Sequence, residues 1–348
     1  MEPLHLQDVS GSFWENVRRN SRNRVAVNTP VLEPVSFRHV PVLAQTVADL
    51  LVQDPGGVYV DGTIGGGGHA AALAERLNPA GRLFGIDRDK EALDAVRHRL
   101  PNTERLMLHY GNFLDIPELL DTNGIENVDG ILLDLGVSSY QIDAPGRGFS
   151  FTHDGPLDMR MDRNLIVTAS DLVNHAPREK LIRIISQFGE ERMVKPIVRV
   201  ILETRQRHPV ETTGQLASLV RSVVRGRDAI KSCSRVFQAL RIAVNEELDT
   251  LEAALPTLIF RLKPSGRIAV IAYHSLEDRI VKQTFQKLEK GCICPPEWPV
   301  CLCKRSPAIR SVVRRPAVPD EKEIQLNSRS RSARLRAAER LPDLRSGA

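Results

Sequence analysis

At 348 residues, the chain is long enough to bury a large core and is expected to hold two domains. Its 42% hydrophobic and 26% charged residues are ordinary for a globular protein. No apolar run approaches the roughly 20 residues that a membrane span needs, and the N-terminal stretch carries acids without an apolar signal core. The composition therefore argues against membrane and secreted classes and predicts a cytoplasmic protein.

The charge is distributed unevenly along the chain. The net charge is +5, but residues 304–348 hold twelve Lys or Arg against five Asp or Glu, so the rest of the chain is near −2. A basic segment beside a nearly neutral body indicates a polyanionic partner, although a solvated tail has the same composition.

Residues 1–35 show no periodicity and are predicted to form a flexible arm. The first strong signal is DGTIGGGGHAA at 61–71, which follows a short apolar run and opens a helix-like segment. Gly65 and Gly67 with Ala70 fit the spacing of a nucleotide-binding turn, where the backbone must lie close to a ligand. Amides at the start of the helix are expected to hold an anionic group.

The next strand, RLFGID at 82–87, ends in Asp87, twenty residues after Gly67. An acid at this distance accepts hydrogen bonds from ribose hydroxyls. The alternative is that Asp87 caps the following helix. These two features leave the ligand open between a dinucleotide and S-adenosylmethionine, because both contain an adenosine ribose.

Two further strands are predicted at 105–113 and 128–136. With them, each of the four predicted strands has an acidic or aromatic residue at or near its carboxyl end. Asp61, Asp87, Phe113 and Asp134 all occupy such positions. In an open α/β sheet, ligands bind outside the carboxyl ends of the strands. The four residues are therefore predicted to share one site.

The pattern changes after residue 142. A loop rich in Gly, Pro, Asp and Arg is followed by helical runs, and the α/β alternation resumes near residue 235 and ends in a predicted hairpin. The expected fold is α/β, an open and mostly parallel sheet with an inserted helical domain. The predicted divisions are an arm at 1–35, a discontinuous sheet domain at 36–142 and 235–348 with a Cys-rich loop at 291–304 and a basic C-terminal segment, and an inserted substrate-recognition domain at 143–234.

Four of the five cysteines lie close together in the sequence, at Cys292, Cys294, Cys301 and Cys303. Four thiolates can hold a structural zinc ion, but these C-x-C pairs are tighter than the usual ligand spacing. The alternative is a loop of reduced thiols that bind nothing. The metal content stays open at this point.

Long motifs along most of the chain resemble one family, the bacterial 16S rRNA cytosine-N4 methyltransferases that act on the ribosomal P-site cytidine. These motifs are HVPVL (39–43), DGTIGGGGHA (61–70), GIDRD (85–89), DLGVSSYQID (134–143), RGFSF (147–151), DGPLDMRMD (154–162), RVFQALRIAVNEEL (235–248), YHSLEDRIVK (273–282) and RSRSARLR (329–336). The segment at 231–234 departs from the family pattern, which puts any role of those positions in doubt.

The resemblance implies that the α/β fold is a class I (Rossmann-like) methyltransferase sheet with an inserted helical domain. It further implies S-adenosylmethionine as the cofactor and 16S rRNA, in the small ribosomal subunit or its precursor, as the partner. It also implies a set of cofactor contacts, which are Gly67, Gly68, His69, Asp87, Phe113, Asp134 and Gln141. The implied reaction is methyl transfer to the exocyclic N4 of a cytidine.

An acceptor for the amine hydrogens would help this reaction, because the N4 lone pair is delocalised into the ring. Asp134, Ser138 and Ser139 are the candidates, since they follow the fourth strand. Three alternatives remain: an NAD-dependent oxidoreductase, a C5-cytosine methyltransferase with Cys233 as its nucleophile, and a ribosome-assembly factor without catalysis.

Overall fold

The computed structural model describes residues 41–100, 105–291, 294–295, 297–300, 303 and 305–342. The predicted arm at 1–35 lies outside the described residues. Contacts divide the chain into a sheet unit, formed by Arg38–Gly136 and Thr250–Ala348, and a helical unit that includes Val137–Asp249.

The first half of the sheet unit alternates strands and helices, as the sequence predicts. Its elements are α1 (Ala44–Leu51), β1 (Val58–Asp61), α2 (Gly68–Ala74), β2 (Arg82–Asp87), α3 (Lys90–Arg99), β3 (Leu106–Tyr110), α4 (Ile116–Thr122) and β4 (Val128–Asp134). All four residues of β1 are buried, and so are five of the seven residues of β4. Strands that are buried on both faces read as continuous apolar runs, which is why these segments carry so clear a sequence signal.

The helical unit contains six helices between residues 139 and 245. They are α5 (Ser139–Asp143), α6 (Ala169–His175), α7 (Arg178–Gln187), α8 (Val194–Arg205), α9 (Thr213–Val223) and α10 (Arg227–Asn245). Three of them begin with capping boxes, in which Ser138 pairs with Gln141, Thr168 with Asp171 and Thr212 with Gln215. The boundary predicted between residues 234 and 235 falls inside the continuous helix α10.

The chain then returns to the sheet. The remaining elements are α11 (Glu247–Phe260), β5 (Leu262–Ala272), α12 (Ser275–Lys290), β6 (Ile309–Ser311), α13 (Glu321–Leu326) and β7 (Arg334–Arg340). The strand order is β3-β2-β1-β4-β5-β7-β6. The first five strands are parallel, whereas β7 runs antiparallel to both of its neighbours.

This topology confirms the predicted Rossmann-like α/β sheet and the C-terminal hairpin. A parallel sheet places the carboxyl ends of its strands along one edge, so β1, β2 and β4 deliver Asp61, Asp87 and Asp134 to the same side. Apolar clusters cover both faces, one around Ile131 and Leu133 and the other around Leu132 and Ile271. The packed sheet therefore holds the three acids on a rigid edge.

Many cations of the C-terminal segment are used inside the sheet unit. Arg336 forms a two-pronged pair with Asp278, at 2.7 and 3.1 Å, and Arg310 donates to Glu339 at 2.8 Å. Arg340 is buried and donates to the carbonyl oxygen of Ala308. The basic composition at 304–348 is therefore partly a consequence of strand packing rather than of a solvated tail.

Two arginines hold together the loop between α5 and α6 in the helical unit. Arg147 is 2% exposed and donates to the carbonyl oxygens of Arg160 and Met161. Arg160 in turn pairs through two bonds with Asp158. The loop is consequently ordered by its own side chains.

None of the helices in the described ranges is long and apolar enough to cross a membrane.

We predict that Gly148→Ala destabilises the protein by about 2–3 kcal/mol, because Gly148 has a φ of 73° and an added Cβ would lie 2.2 Å from the carbonyl oxygen of Pro156. Gly146 is the matched control, since an added Cβ there meets nothing within 4 Å. Its replacement by Ala should change the stability by less than about 0.5 kcal/mol. Calorimetry of the full chain measures both, and equal effects of the two substitutions would contradict this account of the loop.

Candidate active site at the carboxyl ends of the strands

The glycine loop after β1 is packed tightly against the segment that precedes α1. Gly67 adopts a φ of 74° at the start of α2, a left-handed conformation that favours glycine. At Gly68, an added Cβ would lie 2.9 Å from the side chain of Pro41. The two glycines are therefore required by the turn itself, and their contact with the cofactor stays a prediction.

Asp87 receives two backbone hydrogen bonds at the end of β2. Its carboxylate accepts from the N–H of Gly65 and from the N–H of Asp89, both at 2.8 Å. Burial raises the pKa of Asp87 to about 6, and the two amide donors oppose this rise. Asp89, not Asp87, caps α3 by accepting from the N–H of Glu91. The alternative role of Asp87 as a helix cap is therefore wrong, and the ribose contact stays a prediction.

Asp61 is the most deeply buried of the three strand-end acids, at 1% exposure. Its Oδ1 accepts from the N–H of Thr63 at 3.2 Å, whereas its Oδ2 is buried and has no hydrogen-bond partner among the described residues. Burial raises the pKa of Asp61 to about 7, with His69 opposing the rise and Asp134 and Asp87 adding to it. A buried carboxylate oxygen without a donor is costly, and a ligand with positive charge or a hydrogen-bond donor would relieve the cost.

Asp134 has three polar partners at the end of β4. Its N–H donates to the hydroxyl of Thr63 at 2.6 Å, and its Oδ1 accepts from the hydroxyl of Tyr273 at 2.9 Å. Its Oδ2 lies 3.4 Å from Nδ1 of His69. Burial raises the pKa of Asp134, while His69 and Tyr273 counteract the rise. The carboxylate is thus oriented, yet its side chain keeps 20% of its surface exposed.

His69 connects this acid to the HVPVL segment. The imidazole is 6% exposed, and its Nε2 lies 2.8 Å from the carbonyl oxygen of Val42. Since a carbonyl oxygen only accepts, Nε2 carries a hydrogen in this contact, and Nδ1 is left facing the Asp134 carboxylate. The contact of His69 with the cofactor, which the resemblance implies, stays a prediction.

The remaining predicted site residues have local structural roles. Phe113 is 8% exposed and belongs to the core, so its place beside adenine stays a prediction. In the helical unit, Ser138 caps α5 by accepting from the N–H of Gln141, whose side-chain oxygen accepts from the N–H of Ser138. The side chain of Ser139 lies outside what the structure describes. The roles of Ser138, Ser139 and Gln141 in catalysis or cofactor binding remain predictions.

The cysteines divide into a described and an undescribed set. Cys292 and Cys301 lie outside the described residues, while the N–H of Cys303 donates to Sγ of Cys294 at 3.3 Å. The zinc hypothesis therefore stays a prediction. Cys233 is fully buried on α10, and burial raises the pKa of its thiol. A buried thiol of raised pKa is a poor nucleophile, which argues against the C5-methyltransferase alternative.

The charge of the strand-end cluster distinguishes between the two classes of ligand left open by the glycine loop. Asp61 and Asp134 share the imidazole of His69 as their basic neighbour, and Asp87 lies near Arg88, so carboxylates outnumber basic groups at this edge. A pyrophosphate would be repelled by such a cluster, whereas the sulfonium and ammonium groups of S-adenosylmethionine match its charge. The residues present therefore fit a cationic methyl donor better than a dinucleotide.

Comparison with known proteins agrees with this geometry. A model of the MraW methylase family matches residues 36–341. The chain belongs to this family. Family membership confirms the predicted resemblance, the methyltransferase activity and the cofactor, S-adenosylmethionine.

The similarity to named relatives extends over nearly the full length of those proteins. Proteins named ribosomal RNA small subunit methyltransferase H are similar to this chain in Syntrophotalea carbinolica (50% identity), Trichlorobacter lovleyi (49%) and Pelobacter propionicus (48%). Each alignment covers 88% of this chain and at least 98% of the relative. A solved rRNA methylase from Streptococcus thermophilus matches 86% of this chain and 94% of its own, but with 12% identity and a TM-score of 0.37. That likeness is too weak to add to the assignment.

Sequence reasoning noted Asp61 only as a strand-end residue and assigned it no role. The structure distinguishes it by an orphaned buried oxygen, which no sequence pattern reveals. The hydrogen bond from Tyr273 to Asp134 was likewise not foreseen. The one available signal was the position of Tyr273 directly after the fifth strand.

We predict that Asp61→Asn stabilises the cofactor-free protein increasingly between about pH 4 and pH 7. The unfolded carboxyl ionises near its usual pKa while the folded one stays protonated up to about 7, so the wild type loses stability as pH rises and the amide does not. The difference reaches at most about 4 kcal/mol above pH 7. Denaturant titrations at several pH values measure it.

Asp94→Asn is the control, because it removes one negative charge in the same way but from an exposed carboxylate on α3. Its effect should stay small and nearly constant with pH. A pH-independent effect of Asp61→Asn would show that Asp61 is ionised in the folded protein throughout this range.

Proposed function

We propose that this chain transfers a methyl group from S-adenosylmethionine to the exocyclic N4 of a cytidine in the P-site region of small-subunit (16S) ribosomal RNA. The relatives are named for methylation of small-subunit rRNA. The observation that carries the choice of an amine is Asp134, an oriented and partly exposed carboxylate at the acidic strand edge. An acceptor is what an exocyclic amine requires from its enzyme.

The chemistry of the amine explains the role of Asp134. The N4 lone pair is delocalised into the pyrimidine ring, so the amine is a weak nucleophile. When bound, S-adenosylmethionine supplies a methyl group on a sulfonium, which is already a strong electrophile. Asp134 accepts a hydrogen bond from the N4 amine, which localises the lone pair, and then takes the proton that N4 releases. Burial favours this task, because it raises the pKa of the carboxyl above that of an exposed Asp.

The target base must be unpaired or turned out of its helix to reach such a site. Within the helical unit, the ring of Phe151 packs edge-to-face against Phe237, at 5.2 Å between ring centroids. Tyr140 is 38% exposed at the start of the helical unit, next in sequence to Ser139. Its exposure makes Tyr140 a candidate for a base-stacking contact.

The helical unit has the charge expected of an rRNA-binding surface. Residues 169–245 contain fourteen Lys or Arg against seven Asp or Glu. Within this unit, a groove of about 300 Å³ lies along α8 and the start of α7. It is lined by Arg178, Lys195, Pro196, Arg199, Leu202, Glu203 and Gln206.

The groove combines three cations with one acid. Arg199 and Glu203 form only a long, exposed pair at 3.9 Å, which contributes little and leaves the guanidinium accessible. Arg178 and Lys195 are also exposed. Polyphosphate backbones bind to such clusters by releasing counterions. We therefore assign this groove to the phosphates of 16S rRNA, in the small subunit or its precursor.

We predict that replacing Arg178, Lys195 and Arg199 together by Gln weakens binding to small ribosomal subunits and flattens its salt dependence. The slope of log K against log salt should fall in magnitude by about 2–3, one phosphate contact being lost per residue. Filter binding at several salt concentrations measures this slope.

The matched control is the triple replacement of Arg225, Arg227 and Lys231 by Gln. These cations are exposed in the same unit and do not line the groove. Equal losses for both triple variants would mean that binding depends on overall charge, and the assignment of the groove would be wrong.

The proposed reaction is tested by mapping modified cytidines in rRNA. We expect mass spectrometry of 16S rRNA from cells lacking this chain to show loss of N4-methylation at a P-site cytidine. The wild-type gene should restore the modification, and Asp134→Asn should not. Restoration by Asp134→Asn would remove Asp134 from the mechanism, and persistence of the modification in the deletion strain would refute the proposed function and favour a non-catalytic assembly factor.

A further inference from the structure

Tyr273 is the residue whose side chain donates a hydrogen bond to the Asp134 carboxylate. It follows β5 directly, and β5 is the parallel neighbour of β4, with Asp134 in register with Ile271. The hydroxyl of Tyr273 therefore reaches across one strand spacing to Oδ1 of Asp134, at 2.9 Å. A phenol donor on one carboxylate oxygen restricts rotation of the carboxylate plane, which is otherwise weakly constrained.

The tyrosine is itself fixed at its backbone and at its ring. Its N–H donates to Oε2 of Glu277 at 2.8 Å, and Glu277 belongs to the capping box that His274 forms at the start of α12. The ring lies against Gly136, where an added Cβ would be 3.3 Å from Cδ2 of the tyrosine. The segment 273–277 (YHSLE) therefore holds the tyrosine backbone and ring in place, and this sets the direction of its hydroxyl.

The second oxygen of the acid has its own support. His69 faces Oδ2 at 3.4 Å and is anchored at its other nitrogen by the carbonyl oxygen of Val42. The Tyr273 hydroxyl and the His69 imidazole therefore flank the two oxygens and restrict the plane of the carboxylate, while each oxygen keeps a further lone pair for another hydrogen. Of these two residues, only Tyr273 contacts Asp134 through a neutral hydroxyl. Replacing it by Phe removes that hydroxyl without changing the net charge of the site.

We propose that Tyr273 is a positioning residue for methyl transfer, whose hydroxyl holds Asp134 in the orientation that accepts the N4 amine hydrogen. This inference rests on the proposed function. It differs from a base-stacking role, because a stacking residue needs the ring and a positioning residue needs the hydroxyl.

The electrostatic surroundings give the role a measurable signature. Asp134 is faced by His69 and Tyr273, which favour its ionised form, and by Glu277, which opposes it, while Asp61 lies close on β1. Removing the Tyr273 donor therefore raises the pKa of Asp134. Since the acid must be ionised to accept the amine hydrogen, the acid limb of the kcat profile should move to higher pH.

The test compares Tyr273→Phe with Tyr59→Phe in the full chain, with small ribosomal subunits as substrate. Tyr59 is the matched control, because it is a buried tyrosine whose hydroxyl donates a 2.7 Å hydrogen bond to the backbone carbonyl oxygen of Asp54 and not to Asp134. For Tyr273→Phe we expect kcat to fall roughly tenfold to a hundredfold, with KM values nearly unchanged and the acid limb shifted upward. Tyr59→Phe should leave the limb where it is.

Two further variants separate positioning from damage to the fold. The double variant Tyr273→Phe with Asp134→Asn should be no slower than Asp134→Asn alone, because the hydroxyl acts through the acid. A chain with 3-fluorotyrosine only at position 273 keeps the ring and has a stronger donor, so its acid limb should move to lower pH. This second substitution reports on the hydroxyl even if Tyr273→Phe does not fold.

The outcomes are distinguishable from failure of the proposed function. A wild-type chain that modifies an atom other than N4 would overturn the proposed reaction. If the wild type methylates N4, an unchanged kcat and acid limb in Tyr273→Phe would overturn the positioning role alone. Additive losses in the double variant would also overturn it.

Discussion

Burial of three carboxylates along one edge of a parallel sheet is the constraint on which the site depends. Each acid needs compensation, and each receives a different kind. Asp87 is compensated by backbone amides, Asp134 by Tyr273 and His69, and Asp61 only in part. These partners come from the glycine loop, the HVPVL segment and the turn after β5. Separate sequence motifs of the sheet unit thus combine to stabilise the buried carboxylates.

The incomplete compensation of Asp61 explains why the site favours a positively charged ligand. A fully satisfied acidic edge would gain little from a cation, whereas an oxygen without a donor gains much. The same electrostatics disfavour a dinucleotide, although the loop and Asp87 alone permit one. Ligand class is thus decided by the sum of charges at the edge rather than by the glycine spacing.

Arginine illustrates how one residue type serves different ends in the two units. Arg147 and Arg160 donate to carbonyl oxygens and a carboxylate within a loop, so their guanidinium groups order the chain rather than meet a phosphate. Arg336 ties β7 to α12 in the same way. The exposed arginines along α7 and α8 have no comparable anchor in the groove they line. Composition alone cannot separate these roles, because both give a basic segment.

The sequence by itself determined the α/β order, the strand-end positions of Asp61, Asp87 and Asp134, the helical insertion and, through long motifs, the family. These are local or periodic properties, and burial on both faces makes the strands of such a sheet readable as apolar runs. Only the tertiary structure decided that Tyr273 meets Asp134 and that Val42 anchors His69, residues separated by 139 and 27 positions. Such contacts depend on strand order and register, which bring distant segments together, and no local pattern in the chain encodes them.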